Sequence, residues 1–250
     1  MYLDLHTHFL ISRESEFHPQ YILEFTQEAH DLGVDMIVLT EHFNATYIRD
    51  LYNHLETNFE YKDGFYHICN IRVVLGLEID VKNHGHILTF GGRDEIYELM
   101  DFLTPYEKAP YLIKLNALID KLNAMSLPKI GAHPFRPSMP LYKHQDDLLE
   151  QLDAVEINAA DIYQLKEKQT DKVKGLVDSL NIGMVGSSDA HHPIQLTTVL
   201  NKCDDVDDVE ELKSTIRHDA VDVLCSDELH LRVQAAEKIR KLMNKLYSSH

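Results

Sequence analysis

Short apolar segments recur along this chain, and each is followed by a stretch with helical periodicity. That alternation constrains the fold more than any other feature. Strands are expected at Tyr2–Leu5, Met36–Thr40, Ile71–Leu77, Ile87–Phe90, Lys129–Ala132, Ala154–Ile157 and Ile182–Gly186. Helical segments fall at Pro19–Leu32 (closed by Gly33), Ala45–Thr57, Glu95–Leu103, Tyr111–Met125 and Ile162–Leu180. Apolar strands alternating with helices point to a parallel α/β sheet covered on both faces. Seven such units suit a closed barrel better than a doubly wound sheet, although the strand pattern alone leaves both open. The tail reads differently: a helix over Val206–Arg217, a short strand over Val221–Leu224 and a long helix over Asp227–Leu246. In the last of these, Ala235, Ile239, Leu242 and Leu246 form one apolar stripe. The stripe is read as packing on the barrel, with a dimer contact as the alternative.

Composition narrows the class. The 250 residues, 44% of them hydrophobic, are enough for one large domain with a real core. A formal charge of −17 repels phosphate backbones, so long nucleic acid is not an expected partner, while a small anion in a locally positive pocket is compatible with it. Cys69, Cys203 and Cys225 are too few and too scattered for a disulfide framework or a cysteine zinc site. No apolar run is long enough to span a membrane, and the N-terminus carries no secretion signal, so the expected location is cytoplasmic. The chain has no Trp, but it has 16 His.

Their placement carries the chemistry. The first strand runs into His6-Thr7-His8, whose i and i+2 side chains point the same way in an extended chain and can face one metal. The following strands lead to Thr40-Glu41-His42, to Gly76-Leu77-Glu78, to His84-Gly85-His86, to Ala132-His133-Pro134, to Glu156 and Asn158, and to Ser188-Asp189-Ala190-His191. Every expected strand therefore brings His, Asp or Glu near its C-terminal end, the face on which parallel barrels assemble active sites. Burying so many such groups unpaired would cost several kcal/mol each, and a metal removes that cost. His30, His54, His67, His144, His218, His230 and His250 lie in helical, loop or terminal contexts and are read as structural.

In their order, six of these motifs resemble the polymerase-and-histidinol-phosphatase (PHP) phosphoesterases, over roughly residues 1–225. The resemblance implies an α/β fold, a distorted (β/α)7 TIM-like barrel with its metal centre at the C-terminal face of the strands. Residues 226–250 are then a helix packed on that barrel. It also implies two or three divalent ions. One is held by His6, His8, Glu78 and Asp189, a second by Glu78 as a bridge with His86 and His133. A third is held by His42, His191 and a residue of the loop after His8. Where the family places an Asp or His in that loop, this chain has Arg13 and Glu14. Glu14 is taken as the ligand, with His18 as the fallback and a dinuclear centre if neither binds. Glu156 and Asn158 are expected to act around the ligands rather than as ligands.

Imidazole and carboxylate together suit Zn, Mn or Fe. Two cations about 3.5–4 Å apart can activate water and clamp a phosphate oxygen. Ions outweighing Glu78, Asp189 and Glu14 would leave the site positive, which favours a compact phosphomonoester. Arg136, three residues past His133, is the candidate phosphate clamp, with a surface salt bridge as the alternative. Arg93 is a weaker candidate, and a metal-bound water or His191 is the candidate proton donor. Tyr61, Phe65 and Tyr66, within Asn58–Asn70, would either flank the mouth and stack on a substrate ring or pack in the core. The expected function is a metal-dependent phosphatase acting on a small phosphorylated metabolite such as histidinol phosphate or a nucleotide. The alternatives are a phosphodiesterase or exonuclease on short nucleotides, a non-catalytic metal-binding module and, last, a C–N hydrolase of the amidohydrolase kind.

Overall fold

A computed structural model describes residues 1–108, 110–165 and 168–247, with side chains through residue 243. The strands are β1 (Tyr2–Thr7), β2 (Met36–His42), β3 (Glu60–Lys62), β4 (Phe65–Ile68), β5 (Ile71–Asp80), β6 (His86–Gly91), β7 (Ile130–Ala132), β8 (Ala154–Asn158), β9 (Gly183–Ser187), β10 (Val199–Lys202) and β11 (Asp222–Cys225). The helices are α1 (Pro19–Asp31), α2 (Ile48–Asn58), α3 (Arg93–Leu103), α4 (Leu115–Ala124), α5 (Asp146–Leu149), α6 (Ala159–Leu165), α7 (Lys168–Leu180), α8 (Val209–Arg217) and α9 (Leu229–Tyr247).

The seven expected strands are all present and pair in the order β1-β2-β5-β6-β7-β8-β9. The two ends of this run meet. Thr7 bridges Ala190, and the His8 amide donates to the Ala190 carbonyl at 2.8 Å. Lower down, the Asn201 side chain on β10 replaces the missing ladder. It accepts from Gly186 N and donates to the carbonyls of Gly186 and Leu3. The barrel is nearly closed, as expected.

One strand corrects the all-parallel expectation: β6 runs antiparallel to both β5 and β7. Only residues 81–85 separate β5 from β6, too few for a crossover helix, and Asn83, His84 and Gly85 adopt the positive φ values that a tight reversal needs. An apolar run of Ile87–Phe90 carries no sign of its direction. The reversal puts the start of β6, rather than its end, at the rim where β5 ends.

Alternation sorts the side chains. Leu3, Leu5, Met36, Val38, Val74, Leu88, Phe90, Ile130 and Val185 fill the barrel interior, and Leu212 and Ile216 of α8 close its floor. Outward residues such as Ile37, Leu39, Val73 and Leu75 pack under α1 and α2 through Ile22, Phe25, Leu51 and Leu55. Gly76 is required by close approach: a Cβ there would lie 2.6 Å from the Thr89 carbonyl oxygen of β6. Residues 58–70 form the β3–β4 hairpin, whose β4 extends the sheet beside the N-terminal half of β5. Phe65 and Tyr66 are fully buried there, so the core reading holds, and the mouth lies at the other end.

The tail also departs in phase. The buried face of α9 is Leu229, Val233 and Ala236, while Leu242 is 60% exposed and Ala235 and Ile239 are half-buried. A three-four spacing fits two neighbouring phases, and α9 takes the one that lies on α6 and on the short turn Pro193–Gln195 after β9. The Leu246 side chain and His250 lie outside the described residues. Among the described residues, no helix is long and apolar enough to cross a membrane.

Candidate metal centre

The period-two pattern that fills the barrel changes chemistry at its upper end. Inward positions on β2 run Met36, Val38, Thr40, His42; on β5 they run Val74, Gly76, Glu78, Asp80; on β8 they run Ala154, Glu156, Asn158. On β1 a register shift between Asp4 and Thr7 sets three residue steps against two on β2, and this bulge aims both His6 and His8 at the rim. His133 and Asp189 lie just past the ends of β7 and β9 and have φ of 30° and 54°. Backbone held in this sparsely populated region costs on the order of 1–3 kcal/mol per residue.

Three groups of ligand-type atoms result: His6, His8 and Asp189; Glu78, His86 and His133; and His8, His42 and His191. The Nε2 atoms of His6 and His8 are 3.0 Å apart, and each lies 3.5 Å from Asp189 Oδ1. Glu78 touches all three groups. Its Oε2 is 3.4 Å from His6 Nε2 and 3.0 Å from His42 Nδ1, and its Oε1 is 3.1 Å from His133 Nε2 and also contacts His86 Nδ1. Eight of the nine sequence-derived ligand candidates thus converge. The ninth, Glu14, is exposed and belongs to none of the groups, and His18 is likewise exposed. His8 stands beside His42 and His191 instead, its ring stacked on His191 with centroids 4.2 Å apart. The loop turns Arg13 inward, where it donates to Asp80 at 2.8 Å and lies 3.1 Å from His42 Nδ1.

Behind this layer, two carboxylates orient the first pair of imidazoles. Glu156, fully buried, accepts from His6 Nδ1 at 2.8 Å, from the His133 amide at 2.7 Å, and from Asn158 and Ser187. Glu41 takes the same part for His8. One oxygen lies 3.3 Å from His8 Nδ1, while the other accepts from the Leu10 amide at 2.9 Å and from the Phe9 amide. A carboxylate on Nδ1 leaves the Nε2 lone pair facing inward, the arrangement of a metal-ligating histidine. In the sequence Glu41 is only the middle residue of a motif, and its position next to His42, on the opposite side of the strand, is the one signal of this role.

The electrostatics agree. Burial pushes Glu78 and Asp189 up, but the facing imidazoles, and Arg136 for Asp189, hold both well below the usual carboxylate range, so both are ionised. Burial keeps His133 neutral with its pKa lowered to about 4, and burial, His8 and Arg240 lower His191. A neutral His191 is suited to ligation. Burial lowers His6, but Glu156, Asp189 and Glu78 overcome it and raise the pKa well above the ordinary value. Those carboxylates draw a proton to the place where they would draw a cation. The sequence-based charge count omitted Glu41, Asp80 and Glu156, all buried here, as well as Arg13, which pairs with Asp80.

Arg136 is not a surface salt bridge. Its Nε donates to Asp161 at 2.8 Å, and its Nη2 donates to Asn158 and, at 2.9 Å, to Asp189. It lines a cavity of about 400 Å³ beside the metal-ligand groups, together with Asp189, His191 and Arg240. Arg240, on α9, escaped the sequence analysis because that helix lies outside the strand-end pattern. Arg93 is displaced to the opposite rim by the reversal of β6, where it stacks on Tyr61 and pairs with Glu56.

No protein-family model and no curated protein matches the sequence. Solved structures do match. PsfC from Pseudomonas syringae PB-5123 aligns with a TM-score of 0.80 at 18% identity, covering 97% of this chain and 98% of that one. The lesion-specific endonuclease PfuEndoQ from Pyrococcus furiosus aligns at 0.64 and 17% identity over 89% of this chain. An Endonuclease Q complex with a 27-mer duplex carrying an abasic lesion aligns at 0.64 and 18% identity over 87%. The chain spans only 58% and 56% of those two proteins. An amidohydrolase from Chromobacterium violaceum aligns at 0.52 and 12% identity, covering 90% of this chain and 98% of that one. At the level of the fold, these likenesses bear out the barrel that the ordered motifs implied: the chain has a TIM-like α/β barrel.

Proposed function

We propose that the protein is a metal-dependent phosphatase that hydrolyses a small phosphomonoester. One observation carries this reading: the Nε2 atoms of His6 and His8 approach to 3.0 Å while each ring's Nδ1 faces a carboxylate. In the metal-free protein a proton held between the two Nε2 atoms occupies this point, and a cation among the surrounding carboxylates can take the proton's place, so the donor set fits a metal centre. His6, His8, Glu78 and Asp189 would hold one ion, and Glu78, His86 and His133 a second. His42 and His191 would hold a third, with His8 alongside in the place assigned to Glu14. When bound, such ions (Zn, Mn or Fe suit these ligands) supply Lewis-acid activation of water and of phosphate oxygens.

The chain's own groups do the rest. Glu156 and Glu41 fix the orientation of the first two imidazoles. Arg136, held by Asp161 and Asn158, steadies Asp189 and presents its remaining N–H groups towards the cavity, where an anionic oxygen can be bound. Residues 1–225 supply these groups, and the helix beyond them forms one wall of the cavity. A cavity of about 400 Å³ and a net charge of −17 favour a small phosphorylated molecule over nucleic acid. The fold likeness to an endonuclease that acts on duplex DNA keeps a diesterase as the second reading.

Mn²⁺- or Zn²⁺-loaded protein is expected to release phosphate from p-nitrophenyl phosphate faster than it cleaves bis(p-nitrophenyl) phosphate, and His8→Ala or Asp189→Asn to abolish both. Full activity of either variant would refute the ligand assignment. A preference for the diester that weakens with added salt would favour the second reading.

A further inference from the structure

We infer that Arg240, on the helix that follows the barrel, is the second arm of a phosphate fork whose first arm is Arg136, and that it selects a dianionic monoester over a diester. The inference deepens the phosphatase reading and rests on it.

The two arginines reach the same cavity from unrelated parts of the chain, Arg136 from the loop after β7 and Arg240 from the fourth turn of α9. Their charges are balanced very differently. Arg136 is bonded to both Asp161 and Asp189. Among the described residues, Arg240 makes one hydrogen bond, from Nε to the Ile11 carbonyl at 3.1 Å, and no salt bridge. The acidic residue best placed on its own helix, Glu237 one turn earlier, accepts from Gln164 at 3.4 Å instead. The Ile11 contact ties the guanidinium to the loop after β1, next to His6 and His8, and leaves its two terminal nitrogens uncommitted.

A half-buried guanidinium with no carboxylate bonded to it, sharing a cavity with a second guanidinium as well as Asp189 and Glu237, leaves charge incompletely neutralised in the empty protein, at some cost. Burial and the charge of Arg136 lower its pKa, with Asp189 and Glu78 opposing them, and it remains a cation. An anion in the cavity reverses that cost. A terminal phosphate offers one more anionic oxygen than a diester, so two guanidinium groups on one side and cations on the other can all be satisfied only by a monoester. Val233 and Ala236, on the same face of α9, give the cavity an apolar wall for a small organic group.

The test uses the full-length, Mn²⁺-loaded protein and reads inorganic phosphate affinity by calorimetry alongside kcat and KM on p-nitrophenyl phosphate and its bis ester. Arg240→Ala is expected to weaken phosphate binding about tenfold to a hundredfold, the scale of one lost charge-assisted contact. KM for the monoester should rise in parallel, kcat should change less, and the diester should be little affected. Arg240→Lys should recover part of the loss, because it keeps the charge without the fork. Lys241→Ala, which removes the same charge from an exposed neighbour, should bind phosphate as the parent protein does. Phosphate affinity in Arg240→Ala within twofold of the parent, or equal losses for monoester and diester, would overturn the assignment. If phosphate binding depends on Arg240 but no monoester is turned over, the anion site stands and the phosphatase reading fails.

Discussion

Replacing Glu156 by Gln tests the site where it is most tightly built. The carboxylate is fully buried and accepts from four donors, two of which (His6 Nδ1 and the His133 amide) hold ligand-type residues in place. Burial acts to raise its pKa, but His6 above all brings it down from 4.5 to about 2. A depressed folded-state value means stability that is present above pH 4.5 and lost as the pH falls towards 2; the shift corresponds to about 3 kcal/mol. Gln keeps the shape, lacks the charge and must turn an amide N–H towards a donor. Chelator-treated Glu156→Gln should therefore be less stable than the parent by about 3 kcal/mol in urea unfolding at pH 7, and the gap should hold to about pH 5 and narrow below it, towards pH 2. Metal affinity, measured by competition with a chromogenic chelator, should fall about 10–100-fold, as for other partners that orient a ligand. A difference under about 1 kcal/mol at pH 7, or one that does not change with pH, would refute the reasoning.

Other outcomes follow from the same geometry. Glu14→Gln should leave the metal content measured by mass spectrometry unchanged, because the side chain is exposed, whereas His42→Ala should lose one equivalent. Loss of an ion in Glu14→Gln would restore the loop residue as a ligand. Because His6 has a raised proton affinity in the metal-free protein, protons compete for the centre even near neutrality. Apparent metal affinity should then climb roughly tenfold per pH unit between pH 6 and 8, and a flat profile in chelator competition would contradict this. Gly76→Ala must push against the Thr89 carbonyl and is expected to cost about 1–3 kcal/mol, read as a lower Tm.

The alternation of short apolar runs with helices, and the acids and imidazoles placed where those runs end, were readable in the chain itself. Both are local patterns. Residue spacing alone carries the seven strands of the barrel, the pairing of His6 with His8 on one side of a strand, and the succession of motifs that resembles one phosphoesterase family. Direction, phase and depth were not readable, because each depends on what lies opposite in space. An apolar run reads the same in either direction, so only the five-residue turn at 81–85 and its partners reverse β6, moving His86 to the rim and Arg93 away from it. The loop after His8 offered Arg13 and Glu14 as neighbours, and tertiary packing against Asp80 and His42 turned the arginine in and left the glutamate in solvent. The stripe of α9 fitted two phases, and contact with α6 and the Pro193–Gln195 turn selected the one that carries Arg240 into the cavity. Periodicity determines which residues share a face, while long-range contacts decide what that face meets.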